Sequence, residues 1–431
     1  MNAPVQRLRY RPDLLDAASP EGLEIWQITA NPALPACHIS MEAQVFSPDS
    51  RFFILHEGIG VQSCDHRHPD HRLLLCDAET GGLTPVSDER GVTAFSVSPD
   101  GRFLYYFVDE SEPGAGRLLL RRRNLDGSAP ETVSVLDAAI PGTPFRASRP
   151  NPLSTISTDG RRLAVGCFLG DGNHHGGPYG LLVFELETGE ARLILHGPAW
   201  RNIHAQYSRS EDPVERHDLL VQENHGGLNL PDGSLQRRPP GRGADLHVVR
   251  DDGQHWRNIP WGRVEGEWVV GHQCWRGRSG VVIGSIVAGT WEQLREMRSE
   301  LRVVESRPAP HWGHEGAATA GGGRNRVCRE FAQPHFNHIA SSLSGTRLVA
   351  DYRPCWNPEV ADRDAIYLFD LGEPETGAAR KIRPLFSPRS SWKPSAHVHP
   401  FFSPDGRTLL FNSDESGQTQ AYLVRNLPPE A

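Results

Sequence analysis

A histidine occupies one register in four consecutive repeats of this chain. His204, His272, His338 and His399 each stand seven residues before the end of a short turn, the turns ending at Glu211, Ser279, Gly345 and Gly406. In the three preceding repeats the same count back from Ser50, Gly101 and Gly160 gives Ala43, Ala94 and Leu153. A further imidazole, His397, lies two residues before His399, on the same face of a strand because side chains alternate. Neutral imidazoles around an open position suit a divalent Mn, Fe, Zn or Ni ion. A single inner-strand histidine is ordinarily a hydrogen-bonded packing residue, but four in consecutive repeats require that account to hold four times over.

The repeats say what must hold these residues. Each unit reads as an apolar strand, a turn, a second apolar strand, a variable loop and a third strand, some ending in a turn such as Glu79-Thr80-Gly81 or Glu187-Thr188-Gly189. The first turn is clearest as Ser-Pro-Asp-Gly, at Ser98 to Gly101 and Ser403 to Gly406. Seven such units predict an all-β fold, a seven-bladed β-propeller in which each sheet packs on its neighbours around a central channel. Only three strands follow from His399 to the end, and the segment Leu23 to Thr29 precedes the first unit. That segment is expected as the missing outer strand of the last blade, closing the ring. The expectation is one domain over 1–431, with residues 1–22 an N-terminal extension and 291–333 an insertion between blades five and six. In a propeller the first strand lines the channel, so residues at equal distance from the turn share one height. The loops after the second strands lie on that same face. They include Asn224-His225-Gly226-Gly227 in blade four and Asn173-His174-His175 in blade three.

Composition agrees with strands and turns: 38% of residues are hydrophobic, with 43 Gly and 35 Pro in 431, more suited to short strands than long helices. No apolar run approaches a membrane span or a secretory core, and the expected location is cytoplasmic. Seven cysteines without close pairing point to buried thiols rather than a disulfide framework. The Cys64-Asp65-His66-Arg67-His68 run reads either as a zinc site or as a solvated polar loop. A formal net charge of -8 disfavours nucleic acid as a partner. It leaves room for a small anion held by local basic residues.

The histidine motifs resemble those of the oligogalacturonate lyase family, seven-bladed propellers with manganese in the channel. The resemblance is carried by Trp200-Arg201-Asn202-Ile203-His204, Asn224-His225-Gly226-Gly227, Gly271-His272-Gln273-Cys274-Trp275 and His397-Val398-His399-Pro400. It implies His272, His397 and His399 as metal ligands, His225 as catalytic base and Arg201 as an essential arginine. Two departures stand out. Pro394 takes the place of a glutamine ligand, so water, Ser395 or His338 completes the shell, and no acidic residue follows His225.

Uronide elimination asks for these groups. The weakly acidic C5 proton becomes removable when the neighbouring carboxylate is neutralised, by a divalent cation as Lewis acid and by a bidentate arginine. A neutral histidine then acts as base. The expected partner is an anionic oligosaccharide, with His204 and His338 lining its pocket and Arg237 and Arg238 reaching it from the loop after His225. Those arginines read equally as a solvated basic loop. Trp275 and Trp392 read as sugar-stacking rings or, more commonly, as packing between blades. The segment His311-Trp312-Gly313-His314-Glu315 reads as a lid or a mobile loop. The expected assembly is a monomer or homodimer. The rival readings are a propeller that binds a partner without catalysis, and a metal-dependent hydrolase or isomerase of another sugar acid. Neither a serine-peptidase elbow nor a Walker-type loop is present.

Overall fold

The computed structural model describes residues 8–430 except 39, 42, 59–70, 113–114, 171–177, 225–227, 230–234, 237–243, 263–265, 289–297, 308–317, 320–324, 332–335, 353–363, 373–378 and 394–395. Among these, the only helices are two short 3-10 turns. The chain forms seven antiparallel blades in sequence order. Strands inside a blade are covered on both faces by neighbouring blades, so they read as apolar runs without alternation. Val92–Val97 and Arg347–Tyr352 are buried throughout, whereas the outer strand Glu131–Leu136 has no buried residue.

The turns that set the register share one construction. Ser98 donates its hydroxyl to Asp100 at 2.6 Å and accepts the Phe103 N–H at 2.9 Å, while the Gly101 N–H closes onto the Ser98 carbonyl at 2.8 Å. The fourth residue is left-handed: φ is 71° at Gly101, 70° at Gly160 and 69° at Gly406. Glycine takes this conformation without steric cost. In the first blade Ser50 takes it instead, at φ 64°.

The ring closes as expected. Glu24–Gln27 pairs antiparallel with Gln420–Arg425, and Arg9–Tyr10 adds a fifth strand outside it. Arg11 fastens this seam, donating to Glu415 Oε2 and to Asp13 Oδ2, both at 2.8 Å, and from Nε to Asp13 Oδ1 at 2.9 Å. Part of the segment 1–22 is therefore sheet.

The segment 291–333, read as an insertion, supplies the outer half of blade five. Arg298–Glu305 pairs with Val281–Ala288, and Asn325–Phe331 pairs with Arg298–Glu305. Charged residues at alternate positions of Arg298–Glu305 disguised it, yet Leu301 and Val304, packed in two different clusters, are fully buried. Blades four and five touch edge to edge through Ala244 and Val269, and Ala318–Thr319 runs parallel to Arg257–Asn258. Cys37, Cys76, Cys167 and Cys274 are buried, and burial pushes the Cys76 and Cys167 thiols up. No helix among the described residues is long and apolar enough to cross a membrane.

Candidate metal centre

The histidine register coincides with a recurring irregularity of the inner strand. In blade two Thr93 faces Phe107 and Ser96 faces Tyr105, three steps against two. Blade four repeats this, since Gln222 bonds the Ile203 carbonyl while Gln206 faces Leu220. So does blade seven, where Asn412 bonds the Val398 carbonyl and Phe401 faces Leu410. One extra residue makes a bulge, which bends the strand and re-aims a side chain. The residue after each first pairing is left-handed: φ is 48° at Ala94, 46° at His204 and 47° at His399. Non-glycine residues persist there only when the surroundings enforce it. His38 supplies part of that enforcement, donating from Nε2 to the His399 carbonyl at 2.7 Å, and its burial holds its pKa down at about 3. Blades five and six carry register shifts between Val269 and Gln273 and between Phe336 and Ile339, and these stretches contain His272 and His338.

These bulges gather the imidazoles. Ligand atoms of His338, His397 and His399 all lie within 4.8 Å of one another. The ring of His338 is 4.1 Å from that of His399, 5.3 Å from that of His397 and 4.2 Å from that of His272. His272 in turn lies 5.5 Å from His204, so the rings continue in a chain around the channel. His338, expected at the substrate, is thus the member that joins His272 to His397 and His399.

Asp351 was not singled out from sequence, and it orients the centre. Its Oδ1 accepts the His338 backbone N–H at 2.8 Å and its Oδ2 the ring Nδ1–H at 2.6 Å, with both side chains fully buried. The carboxylate fixes the tautomer and leaves Nε2 as the metal-facing nitrogen, the arrangement typical of histidine ligands. The Asn337 amide nitrogen lies 3.3 and 3.1 Å from the two ring nitrogens; a donor on one lone pair would stand far from the other nitrogen, so this group lies against the ring. A buried aspartate within the apolar strand Arg347–Tyr352 is the signal that could have found it.

Burial, then the neighbouring imidazoles, push the His272 and His399 pKa values well below the usual 6.5. Neutral rings are what metal ligation requires. The Nδ1 atoms of His272 and His399 are buried without a hydrogen-bond partner, leaving donors for an ion. The residues present fit a divalent first-row cation.

The other expected site residues fall as follows. His204 is partly buried at its bulge and Arg201 is exposed just before it. His225, Arg237, Arg238, Pro394 and Ser395 lie outside the described residues, as do His174, His175, the Cys64 to His68 run and the His311 to Glu315 segment. Trp275 and Trp392 are buried packing residues: Trp275 donates to the Gln206 carbonyl at 3.0 Å, and Trp392 lies parallel to His338 with centroids 6.0 Å apart. A second group, Glu223, Asp245 and His247, also has ligand atoms within 4.8 Å of one another, on the strands flanking the loop that contains His225.

No protein-family model matches this chain, and no curated protein matches it in sequence. Solved structures do. Over 99% of this chain and 97% of the other, it is similar to an oligogalacturonate lyase in complex with manganese, at 18% identity and a TM-score of 0.66. The oligogalacturonate lyase of Vibrio parahaemolyticus is similar over 100% of both chains, at 15% identity and a TM-score of 0.67. The likeness is one of fold, and it spans the whole propeller.

Proposed function

We propose that the protein is a metal-dependent lyase cleaving short oligogalacturonides or related uronic-acid oligosaccharides by β-elimination. The observation that carries this reading is the cluster of His338, His397 and His399, ligand atoms within 4.8 Å, with Asp351 orienting His338. Its motifs resemble those of the lyase family with the departures at Pro394 and after His225, and the fold is similar over the full chain length.

His397 and His399, with His272 and His338 beside them, would hold a divalent ion, manganese in the first instance. That ion supplies Lewis acidity towards the substrate carboxylate. The protein's residues do the rest. Arg201 clamps the uronate through a bidentate contact. His225, directly after the strand Asp218–Asn224, accepts the C5 proton as general base. The electron pair released from C5 forms the C4–C5 double bond as the C4–O bond breaks, and the departing oxygen takes a proton. His204 lines the pocket, and Arg237 and Arg238 meet further carboxylates of the oligosaccharide. The site works in water without a membrane or nucleic acid, in a cytoplasmic monomer or homodimer.

The test follows the absorbance of the unsaturated product when metal-stripped and manganese-loaded protein meet short oligogalacturonides. Activity should appear on loading. His225→Ala should lose it with bound metal unchanged, whereas His399→Ala should lose both. Absence of unsaturated product from any uronide with fully loaded protein overturns the proposal.

A further inference from the structure

The channel holds a second feature, on the face opposite the histidine loops. A cavity of roughly 530 Å³ lies among the turns, lined by Pro48, Pro99, Thr158, Gly277, Leu343 and Pro404 from six of the blades and by Arg209 from the remaining one. Gln206, Cys274, Ala340 and Phe401, each two residues beyond a register histidine, also line it. The cavity therefore sits one layer of side chains below the metal centre.

It is lined by two cations, Arg209 and Arg278, and two carboxylates, Glu211 and Asp405. Glu211 and Arg278 line it as an exposed ion pair at 3.4 Å. The Asp405 carboxylate is engaged by the Ser403 hydroxyl at 2.6 Å and the Arg407 N–H at 3.1 Å. Arg209 has neither a hydrogen-bond nor an ion-pair partner among the described residues, and burial lowers its pKa to about 10. Arg209 is half-buried, and its guanidinium is at the cavity with no carboxylate paired to it among the described residues. The walls beside it are apolar, including Met41, Val45, Phe46 and Phe401. The volume falls within the range of small-molecule pockets, about 300–1,000 Å³.

We infer that the turn end of the channel binds a small organic monoanion with an apolar body, its carboxylate on Arg209 and its body against Met41, Phe46 and Phe401. One unpartnered cation selects a single negative charge, and a polyanion would meet Glu211 and Asp405.

The test is calorimetric titration of the metal-free full-length protein with benzoate, its neutral counterpart benzamide, and citrate. Leaving out metal removes the Lewis acid at the histidine end, and the Arg209 variants separate binding in this cavity from binding at Arg201. Benzoate should bind at one site per chain, at least ten-fold tighter than benzamide or citrate, and Arg209→Met should abolish that preference. Circular dichroism should show Arg209→Met folded as the parent protein is; Arg209→Gln provides a second variant with the same expected loss. No benzoate binding, equal binding of benzoate and benzamide, or benzoate binding unchanged in a folded Arg209 variant overturns the inference.

Discussion

Asp351 holds His338 at two points, its Oδ1 on the backbone N–H at 2.8 Å and its Oδ2 on the ring Nδ1–H at 2.6 Å. The aspartate stands opposite the irregular stretch between Phe336 and Ile339. One carboxylate thus fixes both the bulge and the ring that the bulge presents.

Asp351→Asn should therefore weaken divalent-metal binding by about ten- to a hundred-fold, the usual cost of removing a carboxylate behind a histidine ligand. Competitive titration of manganese or zinc against a chelating dye measures this, with circular dichroism reporting that the blades persist. Metal affinity equal to that of the parent protein would remove Asp351 from the centre.

The turns make a graded prediction. Gly406→Ala meets nothing within 4 Å but keeps φ at 69°, so it should cost about 1 kcal/mol of backbone strain. At Gly101 an added Cβ also meets Pro48 Cδ at 2.6 Å, with φ at 71°. Denaturant melts should rank Gly101→Ala clearly below Gly406→Ala; the reverse order would contradict the turn geometry.

The seam gives a pH dependence. Hydrogen bonds from Arg11 hold the Asp13 carboxyl below its ordinary value. Burial raises Glu415, but bonds from Arg11 and Tyr422 outweigh it and its pKa is also lowered. A depressed carboxylate contributes stability above the unfolded-state value, and the contribution disappears as pH falls through the folded-state value. The melting difference between the parent protein and Arg11→Ala should be full at neutral pH and shrink below about pH 4. A difference that stays constant or widens on acidification would show that these ion pairs do not fasten the ring.

The repeat, the ring closure and the level of the histidines were legible because each rests on a local signature. Ser-Pro-Asp-Gly makes a turn by its own hydrogen bonds, and the run Leu23 to Thr29 is apolar with no partner of its own in sequence. His397 and His399 were expected on one face of a strand; they lie before the strand Phe401–Phe402 with His399 left-handed, and their rings are 5.4 Å apart. What escaped depends on pairing across strands. Asp351 acquires its role only opposite the bulge, and bulges have no residue signature here, since Ala94, His204 and His399 adopt the same left-handed φ. Of Arg298–Glu305 only the end, Val303 to Glu305, reads as a strand of blade five in the sequence, because charges alternate along the rest. The tryptophans were ambiguous by nature, and burial placed Trp275 and Trp392 in the packing.

Elimination from a uronate held at the histidine centre is read from the mass of the products. Manganese-loaded protein acting on trigalacturonate should yield fragments whose masses sum to that of the substrate, one of them lighter by one water than the matching saturated sugar. Fragments that together gain a water would show hydrolysis in the same pocket and would contradict the account.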